Sequence, residues 1–531
     1  MENTTISRSK TPESAPEKQI DISYHAKDRG NTEGSASQEE LGRVDSHVTT
    51  RKNYDGLSML ALAVSLMATW EALCSTMGSG LNSGGPVALL YGFITSFIGN
   101  LLTSTSLAEG AAMYPSAGGQ YQMVAELSPP SSRAIVSWYC GWITLCGWLA
   151  MTASAPYGAA SLLMGLVKLN HPTFESQAWH VTVAYIGITL IALFINLYGN
   201  KIMPLLQDSI MAFHVLFFVI VFIVVLSVTP SRNSAQFVFA EFQNNTGWKS
   251  DAVAWFLGML TSCYVMVGYD SATHLSEEIA QPAIAVPRAM VGSVVINGTM
   301  GFAMLLAVLF SMGDLGAALA DRTGFPIISI FNFITRGNTA AASAMTSTVI
   351  ISASLATVGL LTTTSRMMWA FARDGAPPFS KTLARLDPKS QVPIASILCS
   401  TGIIILLGIL NIGSTTAFAA ILSLTVVSLN LSYLMPIVLL LYRRIYTPNV
   451  FVPGPWSLKK FGVVINLVSI MYLALVSVFL LFPVSQPVTP RNMNYAIVVL
   501  GGVMVLISIY WILRARKTYK GPTLILQGVS A

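Results

Sequence analysis

Trp70-Glu71-Ala72-Leu73-Cys74-Ser75-Thr76-Met77-Gly78-Ser79-Gly80 and, far downstream, Val265-Met266-Val267-Gly268-Tyr269-Asp270-Ser271 are the stretches on which the fold turns. Each interrupts a long apolar window. Glycines flanked by hydroxyls continue a helix poorly and unwind one readily. The second stretch places an ionisable residue directly after its glycine. Paired interruptions at corresponding positions of two repeats point to a binding site near the bilayer midplane. An unwound turn frees carbonyls for a cation, and the following half-helix offers N–H groups and a positive dipole end to an anion. Such a site can hold both ends of a zwitterion. The competing reading is that Gly78, Gly80 and Gly268 only permit close helix packing.

Working outward, the 531-residue chain holds only 10% charged residues against 53% hydrophobic ones. A soluble globule of this size carries roughly 25% charged residues, so most of this chain must have lipid as its solvent. Apolar windows fall at 57–81, 86–113, 133–167, 178–199, 203–229, 252–279, 289–312, 340–368, 393–410, 415–442, 461–483 and 493–513, which predicts twelve spans. The third is long enough to tilt strongly or to extend past the bilayer. Residues 1–53 lack an apolar core, so they read as a disordered tail rather than a signal peptide. With that tail cytoplasmic and the spans alternating, sixteen of the thirty Lys and Arg residues fall in inside connections and the C-terminal tail, and six fall outside. The bias follows the positive-inside rule and puts both termini in the cytoplasm. A basic balance in such a chain reports topology, so nucleic acid is not an expected partner. The sequon Asn244-Asn245-Thr246 falls on the outside. Cys74, Cys140, Cys146, Cys263 and Cys399 lie in apolar stretches without paired or metal-ligand spacing, so they read as small buried hydrophobes and no metal or cofactor is expected.

A charge inside the bilayer costs about 2.5–3.5 kcal/mol or more unless it is partnered. Asp270, beside the second interruption, is the first candidate for a cation partner or proton carrier; its bland alternative is a bond to a freed backbone N–H. Glu71, before the glycines of the first stretch, is a candidate for proton coupling or for pairing across the bundle. Glu109 and Arg366 sit near cytoplasmic span ends and read as gate or structural pairs. His274, one turn past Asp270, can relay protons or simply be hydrogen-bonded; His214 takes the second reading. Trp70, Tyr264 and Tyr269 lie near the interruptions, with Trp148 and Tyr157 in the third span. Ring faces attract ammonium groups once water is excluded, although aromatics also fill membrane interiors. Tyr269 is the foremost of these.

The chain resembles the amino acid–polyamine–organocation superfamily, and within it the fungal amino acid/choline branch with its choline and γ-aminobutyrate (GABA) permeases. The stretches that carry this are Ser83-Gly84-Gly85-Pro86, Ser106-Leu107-Ala108-Glu109 and Tyr114-Pro115-Ser116-Ala117-Gly118-Gly119-Gln120-Tyr121. Further ones are Phe237-Val238-Phe239-Ala240, Asn245-Thr246-Gly247-Trp248, Asp270-Ser271-Ala272-Thr273-His274 with Glu277-Glu278, and Ser365-Arg366-Met367-Met368-Trp369-Ala370-Phe371-Ala372-Arg373-Asp374-Gly375. The resemblance implies an all-α membrane protein of twelve helices: a five-plus-five inverted repeat (LeuT-like) with helices one and six broken, plus two C-terminal helices. The core would be 54–442, in repeats of about 54–229 and 250–442. Helices eleven and twelve would lie in 443–513, before a cytoplasmic tail of 514–531. It implies alternating access, proton drive, and substrate between spans one, three, six and eight. Ser75, Thr76, Gly78, Ser79 and Gly80 would meet a substrate carboxylate. Gly268, Tyr269, Asp270, Tyr264 and Trp148 would complete the site. The Pro-Ser-Ala-Gly-Gly-Gln-Tyr segment and the Arg373-Asp374-Gly375 loop would gate it from the cytoplasm.

The expected function is secondary transport of an amino acid, GABA or a choline-like amine across the plasma membrane, with the vacuolar membrane as the alternative address. No Gly-Lys-Ser/Thr phosphate loop and no His-Glu-x-x-His motif occurs, so an enzyme or an ATP-driven pump is not expected. Paired broken helices favour a gated site over a continuous pore. A nutrient sensor without transport, or an exporter of a nitrogenous metabolite, is the competing reading.

Overall fold

The computed structural model describes residues 52–413, 416–490 and 492–522. Most of the expected N-terminal tail, and residues 523–531 of the C-terminal one, lie outside these. The described chain is helical, with isolated bridges Tyr54–Ile279 and Ser83–Asn244 in place of strands.

The first window is two helices, α1 (Gly56–Met67) and α2 (Thr69–Asn82). Asp55 starts α1: its carboxylate accepts from Ser58 N at 2.8 Å, and Ser58 Oγ accepts from Asp55 N at 3.0 Å. This capping box serves two orphan donors, and the bonds from Ser58 hold the Asp55 carboxyl below its ordinary range. Then follow α3 (Gly85–Met113), the short α4 (Gln120–Leu127), α5 (Arg133–Asn170), α6 (Ala178–Tyr198), α7 (Met203–Val228) and the short α8 (Ala235–Ala240). The sixth window holds α9 (Asp251–Tyr264), an irregular stretch to Asp270, and the single turn α10 (Ser271–His274). Beyond it run α11 (Pro282–Ser311), the short α12 (Leu315–Leu319) and α13 (Pro326–Ile334), and the long α14 (Thr339–Arg373). The rest is α15 (Ser380–Leu383), α16 (Ile394–Gly413), α17 (Thr416–Tyr446), α18 (Gly462–Phe479) and α19 (Ala496–Tyr510).

Among the described residues, ten helices are long and apolar enough to cross a membrane. Their outer faces are apolar and bare: Leu205, Leu216 and Ile223 on α7, Val464 and Met471 on α18, and Val498 and Leu506 on α19 are all exposed. So large an apolar surface fits contact with lipid rather than water. The chain is an integral, multi-pass membrane protein.

The interior is sewn together by polar side chains that first satisfy their own helix. Thr362, Thr363 and Thr364 lie fully buried in α14. Thr362 Oγ1 donates to Val358 O, while Thr364 Oγ1 lies 2.6 Å from Thr152 Oγ1 of α5. Tyr185 of α6 donates to Ile404 O of α16 at 2.6 Å. In place of a free acceptor amide, the sequon residue Asn244 donates Nδ2 to Trp248 O and Asp251 Oδ1 and thereby ties its own loop.

Candidate substrate site and its closed end

The first interruption is not where the glycines are. α2 runs unbroken through Ser75, Thr76, Gly78, Ser79 and Gly80, and the break lies before it, at Ala68, with φ of 42° in the left-handed region. The glycines serve packing: a Cβ on Gly80 would stand 2.3 Å from Leu89 Cδ2, and one on Gly78 3.4 Å from Pro326. No glycine or proline marks Ala68. The break is held by a side chain from elsewhere, Asn297 of α11. Its Nδ2 donates to Val64 O at 3.1 Å and its Oδ1 accepts from Thr69 N at 3.2 Å. The amide thus takes the Thr69 N–H that an unbroken helix would have bonded to Ser65 O, and gives Val64 O a second donor beside Ala68 N.

The second interruption is where the sequence put it. α9 ends at Tyr264, and Gly268 has φ of 103°, a conformation L side chains rarely adopt. The two breaks touch: Thr69 Oγ1 donates to Val265 O at 2.7 Å, and two turns further along α2 Thr261 Oγ1 donates to Thr76 O at 2.8 Å.

Beside this junction lies a small cavity of about 40 Å³, walled by the Ala68 break and by α5, α9 and α14. It shares Ser75, Thr76 and Tyr264 with a vestibule of about 490 Å³ that runs along Gly78 and Ser79 towards Asn82, Ser83 and Ser485. Glu71 lines the small cavity and is buried. Its Oε1 is 2.8 Å from Nδ1 of buried His214 in α7, and its Oε2 has no hydrogen-bond partner among the described residues. Tyr264 is the aromatic residue that lines both spaces, and its hydroxyl is 2.6 Å from Ser154 Oγ.

Tyr269, Asp270 and Trp148, expected beside the substrate, are fully buried and line neither space; Gly268 does not line them either. They form a separate polar hub. Asp270 Oδ2 accepts from Gln120 Nε2 at 2.6 Å and Trp148 Nε1 at 3.0 Å, and Oδ1 accepts from Tyr433 OH at 2.6 Å. These donors come from α4, α5 and α17, and none is the local backbone N–H of the bland alternative. The Tyr269 ring packs 5.2 Å from that of Tyr433. His274 Nδ1 lies 2.9 Å from Ala117 O, and its Nε2 is 3.5 Å from Asp270 Oδ2, a close approach rather than a good hydrogen bond.

Past the hub, away from the vestibule, that end of the bundle is closed by ion pairs. Arg373 grips Glu277 with two bonds, at 2.7 and 2.9 Å, and lies over the Trp369 ring. Arg366 Nε donates to Glu278 at 3.0 Å, and Tyr121 OH donates to Asp374 at 2.8 Å. Glu277 and Glu278 thus join Arg366 as the anchors of this end. Glu109 stands apart: it pairs with Arg444 and accepts from Leu458 N at 2.9 Å, tying α3 to α17 and the segment before α18. Among the described residues it makes no contact with the closure.

Asn297, Gln120, Tyr433 and Ser154 are site residues that the sequence alone does not reveal. Gln120 lay within a stretch carrying the family resemblance; the others sit in ordinary apolar windows, where no local signal marks them.

Residues 54–504 match the family model described as amino acid permease, and the chain belongs to that family. It is a membrane transporter, not an enzyme. It is 32% identical over 477 residues to the choline transporter of Saccharomyces cerevisiae, covering 90% of this chain and 84% of that one. It is 28% identical to amino-acid permeases of Arabidopsis thaliana, over 92% of this chain and 96% of the relative, and of Neurospora crassa, over 89% and 86%.

Proposed function

We propose that this permease moves a small amine-bearing solute, choline or an amino acid such as GABA, by alternating access driven by a proton gradient. The observation that carries the reading is the meeting of the two helix breaks at Thr69 and Val265, beside a cavity that holds a buried carboxylate and joins a vestibule. Broken helices around a central site are the architecture of a carrier rather than of a pore.

Twelve crossings fit the helices: the ten long apolar ones, the interrupted α9–α10 and the shorter α16. The breaks fall in the first helix of each half, as a five-plus-five inverted repeat (LeuT-like) requires. A core of 54–442, with α18 and α19 appended in 443–513, follows from that division. The charge bias supports cytoplasmic termini, in the plasma membrane or a vacuolar one. In that orientation the vestibule faces outward and the Arg366–Arg373 end is the shut cytoplasmic side.

Proton coupling is placed at Asp270 and His274. A carbonyl only accepts, so Nδ1 carries the hydrogen that faces Ala117 O. The neutral ring then turns a bare Nε2 towards the carboxylate 3.5 Å away, and one proton between them relieves two opposed lone pairs. A proton there changes the charge that Gln120, Trp148 and Tyr433 hold, and these residues link three helices at the closed end.

The test is uptake of labelled choline and GABA into proteoliposomes of the full chain, with the outside acidified. Accumulation that collapses with a protonophore is expected, and Asp270→Asn is expected to abolish the response to the gradient. Unchanged pH dependence in Asp270→Asn would sink the proton role, and unitary current without accumulation would make the protein a channel.

A further inference from the structure

We infer that the small cavity is built for a monocationic amine, with Glu71 Oε2 as the acceptor for its positive head, and that it discriminates against zwitterionic amino acids. This rests on the transport reading above and adds the solute's charge class to it.

Ser75 Oγ and Thr76 Oγ1 both donate to Ala72 O at 2.8 Å. Ser154 Oγ donates to Met151 O at 2.7 Å, so the 2.6 Å contact with Tyr264 is donated by the tyrosine. Every hydroxyl hydrogen lining the small cavity is therefore spent inside the protein. What these groups turn to the cavity is lone pairs.

Glu71 is the charged residue among those lining the cavity, and neither Lys nor Arg lines it or the vestibule among the described residues. One Glu71 oxygen is held by His214; the other, buried and unpartnered, is costly to leave so. A positive head supplies the missing partner. A carboxylate group of a solute finds there no side-chain donor and one like charge. The remaining wall is soft and apolar: Met67, Met151, Leu360 and the Tyr264 ring. Such a surface suits a quaternary ammonium group, whose charge is spread over methyls. The shared wall at Ser75, Thr76 and Tyr264 lets the head sit against Glu71 while the rest of the solute lies in the vestibule.

The experiment measures binding of labelled choline to the purified full-length protein. Competitors are GABA, a zwitterion, and 3,3-dimethylbutanol, the uncharged carbon analogue of choline. In the parent protein both are expected to bind at least about thirtyfold more weakly than choline, the low end of the loss when one partner of a buried charge pair is removed. Glu71→Gln keeps the shape and removes the charge, and is expected to weaken choline binding by at least about the same factor. GABA or dimethylbutanol competing as well as choline would overturn the inference, as would unchanged choline affinity in Glu71→Gln. In those cases continued uptake by the parent leaves the transport reading standing. A parent that accumulates none of the solutes defeats the transport reading itself, and the inference with it. If Glu71→Gln shows no cooperative unfolding, the competition series in the parent decides alone.

Discussion

Asn297 carries more of the site's geometry than any glycine in the first broken helix. Its amide serves Val64 O and Thr69 N at once, on either side of Ala68. In Asn297→Ala the buried Thr69 N–H loses its partner, at about 1–3 kcal/mol, while Val64 O keeps the bond from Ala68 N. A clear fall in the thermal unfolding midpoint of the purified protein is expected, together with weaker choline binding. A variant as stable as the parent would mean that another group spans the break. Gly268 is the complementary case. With φ of 103° and Met151 Cε 2.6 Å from any added Cβ, Gly268→Ala must strain the backbone even if the methionine swings away. Such strain costs on the order of 1–3 kcal/mol, and the midpoint should fall accordingly. Alanine at Gly56, where an added Cβ meets nothing within 4 Å, is the control for the same substitution in open space.

At the scale of elements, the two ends of the bundle are built from different forces. The vestibule end is lined by small polar and apolar groups, with no ion pair across it among its lining residues. The other end is shut by Arg373–Glu277 and Arg366–Glu278, which join α14 to the turn after α10. Ion pairs of this kind can break and reform without repacking a core, which suits a gate. Glu277→Gln should shift the balance towards opening at that end. A shift of about 1–2 kcal/mol would raise the open population roughly five- to thirtyfold. The readout is alkylation of a cysteine placed by Thr273→Cys, a position buried in the closed state. Equal labelling rates with and without Glu277→Gln would show that this pair does not hold the end shut.

At the scale of the whole molecule, the vestibule should be reached from one side of the membrane only. Cys74, Cys140 and Cys263 are buried, and Cys146 and Cys399 are half-buried, so background thiol reactivity is low. Ser79→Cys in intact cells is expected to react with a membrane-impermeant maleimide from outside and to be protected by choline. Labelling only after the cells are opened would reverse the proposed orientation.

Composition and apolar periodicity sufficed for the membrane class, for the helix order and for the second break, because each of these is local. Lipid accepts only helices or barrels whose backbone bonds are internally satisfied, and Gly268 adopts a conformation that glycine alone takes without strain. The first break was legible only as to which window held it. Gly78 and Gly80 carry the same local signal as a true unwinding point, yet they lie in continuous helix because Leu89 and Pro326 pack where side chains would otherwise be. Ala68 unwinds without any local mark because Asn297, on a helix distant in sequence, satisfies the backbone there. Asp270 could be recognised as a charge in need of partners, but not which partners, since Gln120, Trp148 and Tyr433 converge only in three dimensions. Backbone conformation that a residue prefers can be read from the chain; conformation that a distant side chain makes affordable is decided by the packed fold.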